Sequence, residues 1–476
     1  MVAWFKRIRI TLLLLLAAFL VQQYFFPQPG VRGPFGARSL PVGPVLVIAP
    51  HSDDESLAAA GLLQQAEAAG LQPQVVLVTG GDGFPIAAQA HYHRSQISSQ
   101  EMIAFGRIRL AESQTALRAL GLPPERLTFL GYADRSLDQL WLDCWREEHA
   151  CLSPFTKLRH VPYAEALEPG APLAGERLLA HLISLLRKAH PAVVAYPHPN
   201  ESHVDHWGLS NFVAAALEHL RRTEPGWQAP AEWLYLVHRG DWPAPKGLKP
   251  RASLTPPRTL VGEMTEWTQV PLVESQVAQK QMAVEAYHSQ MTILRRFMHS
   301  FVRTNELFGR IGRADLAEPG LTEQHGSPDP GAWVQTTADP RRDTLARTLE
   351  PGADLVSIWG AIDQTQLSLA IHLAAPLSRQ TTLRLLVRPW QGGWDDVATV
   401  DLRAFGAPTV KRWPGEPILG QVDAYLTATQ EGDWCRARLS LDRLGRPGAV
   451  MLAAETWIGG ALIDRTAWRV VSLDGR

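Results

Sequence analysis

The chain reads as an α/β protein, a Rossmann-like, doubly wound and mostly parallel sheet, followed by an all-β sandwich domain. Three observations lead there. Up to about residue 312, short runs rich in Val, Ile and Leu alternate with helical stretches, the pattern of βαβ units in a parallel sheet. From 332 to 476, short and partly alternating runs recur between turn signals, the pattern of a sandwich. Between them, Glu318-Pro319-Gly320 through Ser327-Pro328-Asp329-Pro330-Gly331 marks a linker over 313–331.

At the N-terminus, Lys6, Arg7 and Arg9 precede an apolar run over 10–21 broken only by Thr11, with Tyr24-Phe25-Phe26 beyond it. Basic residues ahead of such a run form an export signal. The flanking aromatics bring its length toward the roughly 20 residues of a membrane span. Gln22-Gln23-Tyr24-Phe25-Phe26-Pro27 holds no small-x-small cleavage site. The expectation over 1–27 is therefore an uncleaved signal anchor, its basic end in the cytoplasm and the rest facing the periplasm or exterior. A cleaved signal peptide and a secreted protein are the alternative. Residues 28–42, rich in Pro, Gly and Arg, form a tether.

Over 43–312, strands are expected near 44–50, 74–79, 127–131, 192–197 and 233–238, with helices near 55–70, 98–120, 174–189 and 206–221. A long helix at about 274–309 closes the unit, and 135–172 reads as an insertion overhanging its site. Within that insertion Cys144 and Cys151 are close enough to pair, leaving Cys435 over.

The chemistry concentrates at two strand ends. The apolar run 45–49 stops at His51-Ser52-Asp53-Asp54-Glu55, and a helix follows. In open α/β sheets ligands bind where a strand hands over to a helix. Imidazole and carboxylate at His51 and Asp54 suit Zn²⁺ or another divalent ion, with further ligands arriving from elsewhere. The alternative is a helix cap built on Ser52 or Asp53. A second run, Ala192-Val193-Val194-Ala195-Tyr196, ends in Pro197-His198-Pro199-Asn200-Glu201-Ser202-His203-Val204-Asp205-His206 before another helix. Two distant strand ends with matching His and acid clusters describe one site assembled at the edge of a parallel sheet.

These residues resemble the PIG-L/LmbE family of zinc-dependent de-N-acetylases. His51-Ser52-Asp53-Asp54-Glu55 is similar to its first signature, with Ser52 where proline is usual, and His203-Val204-Asp205-His206 to its His-x-Asp-His motif. Arg109-Leu110-Ala111-Glu112 with Ala119-Leu120-Gly121, Leu130-Gly131-Tyr132-Ala133-Asp134, and Lys280 to Gln290 follow in the family's order, the likeness spanning about 43–310. The resemblance implies that His51, Asp54 and His206 bind the metal, Zn²⁺ or else Fe²⁺ or another divalent ion. It implies Asp53 as general base, His203 as the residue that stabilises or protonates the tetrahedral intermediate, and Asp205 as the acid that orients His203. Arg109 would bind a substrate oxygen or phosphate and Asp134 a sugar hydroxyl; a solvated helix face and a turn-forming Asp are the alternatives. Glu201 stands where some members carry a tyrosine, so no tyrosine role carries over.

Gly80-Gly81-Asp82-Gly83 fits neither a dinucleotide-binding nor a Walker pattern, and either admits a close backbone approach at the pocket or simply turns. His91 and His93 flank Tyr92 in a polar stretch and are not expected to bind metal, and the remaining single histidines are expected at the surface. A formal charge of −1 argues against nucleic acid as a partner.

In the second domain, strands are expected near 355–359, 366–373, 382–388, 398–402, 423–427, 435–439, 450–455 and 468–473. Thr381 to Pro389 and Leu462 to Trp468 resemble the β-sandwiches of family-9 carbohydrate-binding and DOMON-like modules. Trp390, Trp394, Trp413 and Trp457 either stack on sugar rings or fill the sandwich and the domain interface. The expected activity is removal of acetyl from an N-acetylglucosamine-containing glycoconjugate or polysaccharide outside the membrane. Hydrolysis of another small amide or thiol conjugate is one alternative, and a glycan-binding surface protein with a vestigial metal site another.

Overall fold

The computed structural model describes residues 36–37, 42–240, 242–260, 264–316, 333–340, 349–404, 407–413 and 426–474. The expected membrane segment, 1–27, lies outside them; among the described residues no helix is long and apolar enough to cross a membrane.

The first sheet comprises β1 Gly36–Ala37, β2 Val45–Ala49, β3 Gln74–Thr79, β4 Leu127–Tyr132, β5 Val193–Pro197, β6 Ala231–Tyr235, β7 Thr265–Pro271 and β8 Asn305–Ile311. Their order is β1-β7-β8-β6-β5-β2-β3-β4. The run from β6 to β4 is parallel, and β8 is antiparallel to both its neighbours. β2 and β5 are buried throughout, as parallel strands covered on both faces must be, which is why they read as unbroken apolar runs. From β2 the chain winds outward through β3 to β4 on one side and through β5 to β6 on the other. The carboxyl ends of β2 and β5 therefore flank the point where winding reverses, the place where such sheets bind ligands. The helices Asp54–Ala68 and Val204–Thr223 start there.

One expected element is corrected. The single helix at 274–309 is two helices, Glu274–Glu285 and His288–Met298, followed by β8. The break falls where the chain sends Tyr287 to Glu55 and Ser289 to Glu112, bonds a straight helix would not deliver. β8 then forms because Glu306 accepts from the amides of Gly61 and Leu62 and from Lys280, which fixes it beside the helix Asp54–Ala68.

The C-terminal part is two sheets facing a core of Leu, Ile and Val side chains. One holds Val334–Ala338, Leu355–Ile362, Gln366–Leu373, Trp434–Ser440 and Leu426–Glu431, antiparallel in that spatial order. The other holds Thr409–Arg412, Ala398–Arg403, Thr381–Trp390, Ala449–Ile458 and Arg469–Ser472, with Ala461–Arg465 beside Ala449–Ile458. Ala314–Asp315, expected in the linker, pairs in parallel with residues 471–472 at this sheet's edge; residues 317–332 lie outside the described ones.

Two of the four tryptophans considered for sugar stacking are turned inward. Trp394 is buried and donates to Ala215 O at 2.9 Å, and Trp413 is buried and donates to Arg443 O at 2.7 Å. Trp390 lies under Arg222 and Trp457 under Arg384.

Candidate metal centre and active site

β2 ends at Ala49, and the chain turns through Pro50 to Asp53 into the helix Asp54–Ala68. Thr79 clasps this turn, its N and Oγ1 donating to Pro50 O at 2.9 and 2.8 Å. Asp53 takes φ 123°, a strained region for any residue but glycine. Glu55 holds it there: Oε2 accepts from Asp53 N at 3.1 Å, and Oε1 from the Tyr287 hydroxyl at 2.7 Å. The third acid of the motif is thus a buttress. After β5, a loop leads to His203, which caps the helix Val204–Thr223 and presents Asp205 and His206 in its first turn.

The two strand ends meet. Asp54 Oδ2 lies 3.2 Å from His51 Nδ1 and 3.0 Å from His206 Nε2. His51, Asp54, His206 and His238 each bring a donor atom within 4.8 Å of the others. These residues fit a divalent cation. Asp54 Oδ1 and His206 Nε2 are buried yet make no hydrogen bond, so their lone pairs are unspent. Four buried carboxylates, Asp53, Asp54, Asp134 and Asp205, crowd the same space, and Arg109 sets its guanidinium against Asp53 and Asp134. Burial and the adjacent Asp54 raise the Asp53 carboxyl well above its usual range.

An acid stands behind the ring of each of the two motif histidines, His51 and His206. His51 Nε2 lies 3.0 Å from Asp205 Oδ2, and His206 Nδ1 lies 3.4 Å from Glu201 Oε1. Such partners fix the tautomer of a ligating imidazole. Asp205 is itself held by the amides of Arg135 at 2.6 Å and Leu137 at 2.9 Å. The role expected of Asp205 is corrected here: its Oδ2 is 4.0 Å from His203 Nδ1, and it serves His51 instead. What His203 Nδ1 receives is the Asp205 amide, at 3.2 Å, which leaves the ring proton on Nε2. Burial, then His51 and His238, hold this imidazole far below the usual histidine range. The donor that His203 has to offer is therefore Nε2–H.

Arg109 and Asp134 are also placed differently from expectation. Arg109 is buried and spends Nη1 on Gly81 O at 2.8 Å and Nη2 on Ser52 O at 2.9 Å, pinning the glycine loop to the metal turn. Asp134 accepts from Gly83 N at 3.0 Å and sets its other oxygen 3.3 Å from His51 Nε2. Both are occupied within the protein. The glycines of this loop are needed for close approach: a Cβ on Gly81 would stand 2.5 Å from Arg109, and one on Gly83 2.8 Å from Asp134. The segment 135–172 packs over the loop, with Tyr163 donating to Asp82 at 2.7 Å, and Cys144 and Cys151 are bonded within it.

His91 and His93 are exposed. His238 is not a surface residue. Its ring stacks on Phe297 and lies 4.7 Å from His206 and 4.9 Å from His203. It follows β6, the strand next to β5, so its position at the same sheet edge was the signal that could have found it.

Among solved structures, a conserved protein from Thermus thermophilus shares 21% identity, covering 54% of this chain and 84% of its own, with a TM-score of 0.33. An N,N'-diacetylchitobiose deacetylase from Pyrococcus horikoshii shares 17%, covering 56% and 83%, with a TM-score of 0.35. A deacetylase of teicoplanin biosynthesis shares 17%, covering 53% and 86%, with a TM-score of 0.33. No curated protein matches the chain. Residues 46–217, which span both motifs, match the family model PIG-L, GlcNAc-PI de-N-acetylase.

Proposed function

We propose that the protein is a divalent-metal-dependent hydrolase, with Zn²⁺ the expected ion, that removes acetyl from an N-acetylglucosamine-type sugar in a glycoconjugate or polysaccharide. The observation that carries this reading is the convergence of His51, Asp54 and His206 beside the strained Asp53, with unspent lone pairs on Asp54 Oδ1 and His206 Nε2.

A cation held by His51, Asp54 and His206 would supply a water of lowered pKa and a Lewis acid for the amide carbonyl. Asp53, the carboxylate beside ligand Asp54, takes the water's proton and returns it to the departing amine nitrogen. His203 offers Nε2–H to the acyl oxygen as charge develops there. Asp205 holds the His51 ring at one rotation and one tautomer, and Glu201 sets its charge beside the His206 ring. Acetate and the free amine leave.

The enzyme is placed outside the cytoplasmic membrane, tethered by residues 1–27 or secreted. The basic-then-apolar N-terminus supports this, as does the Cys144–Cys151 bond, since disulfides persist in oxidising compartments. The test is acetate release from a panel of N-acetylglucosamine substrates by metal-loaded protein, chelated protein and Asp53→Ala. Acetate that needs both the metal and Asp53 supports the reading. One metal bound per chain with no acetate from any sugar would turn it toward another small amide.

A further inference from the structure

The C-terminal sandwich grips one short helix of the α/β domain. The helix Leu137–Leu142 follows directly on the Arg135 and Leu137 amides that hold Asp205. Its last carbonyls have no partner within the helix, and the sandwich supplies them. Arg388, fully buried on the strand Thr381–Trp390, donates to Trp141 O, and Arg412 donates to Leu142 O at 2.5 Å. The Arg388 guanidinium is clamped between Trp141 and Trp145, 4.3 and 3.7 Å from their ring centres. A second grip falls beside the other ligand: Arg465 lies 4.1 Å over the ring of Trp207, the residue after His206.

We propose that the sandwich is a positioning element for the metal centre, with Arg388 and Arg412 fixing the helix Leu137–Leu142 so that its leading turn holds Asp205 against His51. The inference rests on the reading of His51 as a metal ligand given above. It differs from a carbohydrate-binding role, which would leave the sandwich's aromatic side chains free and the metal centre indifferent to it. Two cations at a helix C-terminus also match the helix dipole, so the interaction is favourable as well as directional.

Arg412 suits the test because its side chain is 42% exposed and its loss should leave the core intact. Full-length Arg412→Met, Arg388→Lys and, as control, Arg384→Met are compared in three readouts: Co²⁺ affinity, the Co²⁺ absorption spectrum, and hydrogen exchange of peptides covering 133–142. Arg412→Met is expected to weaken Co²⁺ binding about tenfold, the usual scale for loss of support behind a ligand. It should also alter the spectrum and speed exchange at 133–142, with the melting temperature nearly unchanged. Arg384→Met should do none of these. Arg412→Met and Arg388→Lys proteins with wild-type exchange at 133–142 would overturn the proposal, even if both melt earlier. If wild type binds no Co²⁺, the ligand assignment fails, and the inference with it. If it binds Co²⁺ but releases no acetate, the acetyl-sugar reading fails while these readouts still decide the positioning role.

Discussion

The carboxylate of Asp205 stands 3.0 Å from Nε2 of His51 and 4.0 Å from the nearer nitrogen of His203. An acid expected to orient His203 therefore backs His51, a proposed metal ligand. Asp205 accepts from three donors, His51 Nε2 and the Arg135 and Leu137 amides; an asparagine, with one acceptor oxygen, must turn its NH₂ toward one of them. Asp205→Asn is expected to weaken metal binding by about tenfold or more. His203→Gln should lower kcat while leaving metal affinity within about twofold, on the scale of one lost oxyanion donor. Competition with a chelator and steady-state kinetics separate the two. Equal metal loss in both variants would contradict the assignment.

His238 has no motif to announce it, yet its ring is fixed by Phe297 against His206. As a fourth donor near the cation it should contribute affinity beyond that of the three motif residues. His238→Ala is expected to keep one metal per chain but bind it about tenfold more weakly, read by titration with a metallochromic competitor. Unchanged affinity would reduce His238 to a packing residue.

Much of this site is legible in the sequence because a buried parallel strand and its terminal cluster are local. Val45–Ala49 and Val193–Pro197 are continuous apolar runs; His51 and Asp54 follow the first directly, and His206 follows the second after a short loop. β7 and β8 escape the same reading because they are antiparallel and carry residues such as Asn305 and Glu306, whose polar groups are satisfied by distant backbone and by the side chains of Gln269 and Lys280. The partners of Asp205 escape it for a similar reason. Nothing local in 133–137 says that two amides will converge on a carboxylate almost 70 positions later. Arg109 misleads because a buried guanidinium that ties two loops together and one that meets substrate have the same sequence context.

Asp82 makes stability depend on pH. Burial pushes its carboxyl up to about 7, against the hydrogen bonds it accepts from Tyr163 and the Asp134 amide. In the unfolded chain the same group titrates near 4. Between those values the folded protein holds a proton the unfolded chain has released, so this contribution is complete below about pH 4 and is lost as pH rises through about 7. The slope is at most about 1.4 kcal/mol per pH unit. Denaturant titrations from pH 5 to 8 should show the wild type losing stability relative to Asp82→Asn across that range. Parallel curves for the two proteins would show that Asp82 is charged throughout.

Asp53 should lower stability in proportion to what it contributes to catalysis. Its backbone is held at φ 123° by the Glu55 carboxylate, and its side chain is buried beside Asp54. Glycine removes both penalties: it adopts this φ without steric cost and carries no carboxylate to crowd the ligand. Relief of a strained φ amounts to about 1–3 kcal/mol, and the entropy glycine loses on folding returns about 1 kcal/mol of that. Metal-free Asp53→Gly is therefore expected to be about 1 kcal/mol more stable than wild type in denaturant titration, while releasing no measurable acetate when metal is restored. Asp53→Asn, which keeps the strain and loses the charge, should fall between them in stability and be equally inactive. If the glycine variant were instead less stable than the asparagine one, relief of the φ would have to be worth less than the backbone entropy that glycine loses on folding.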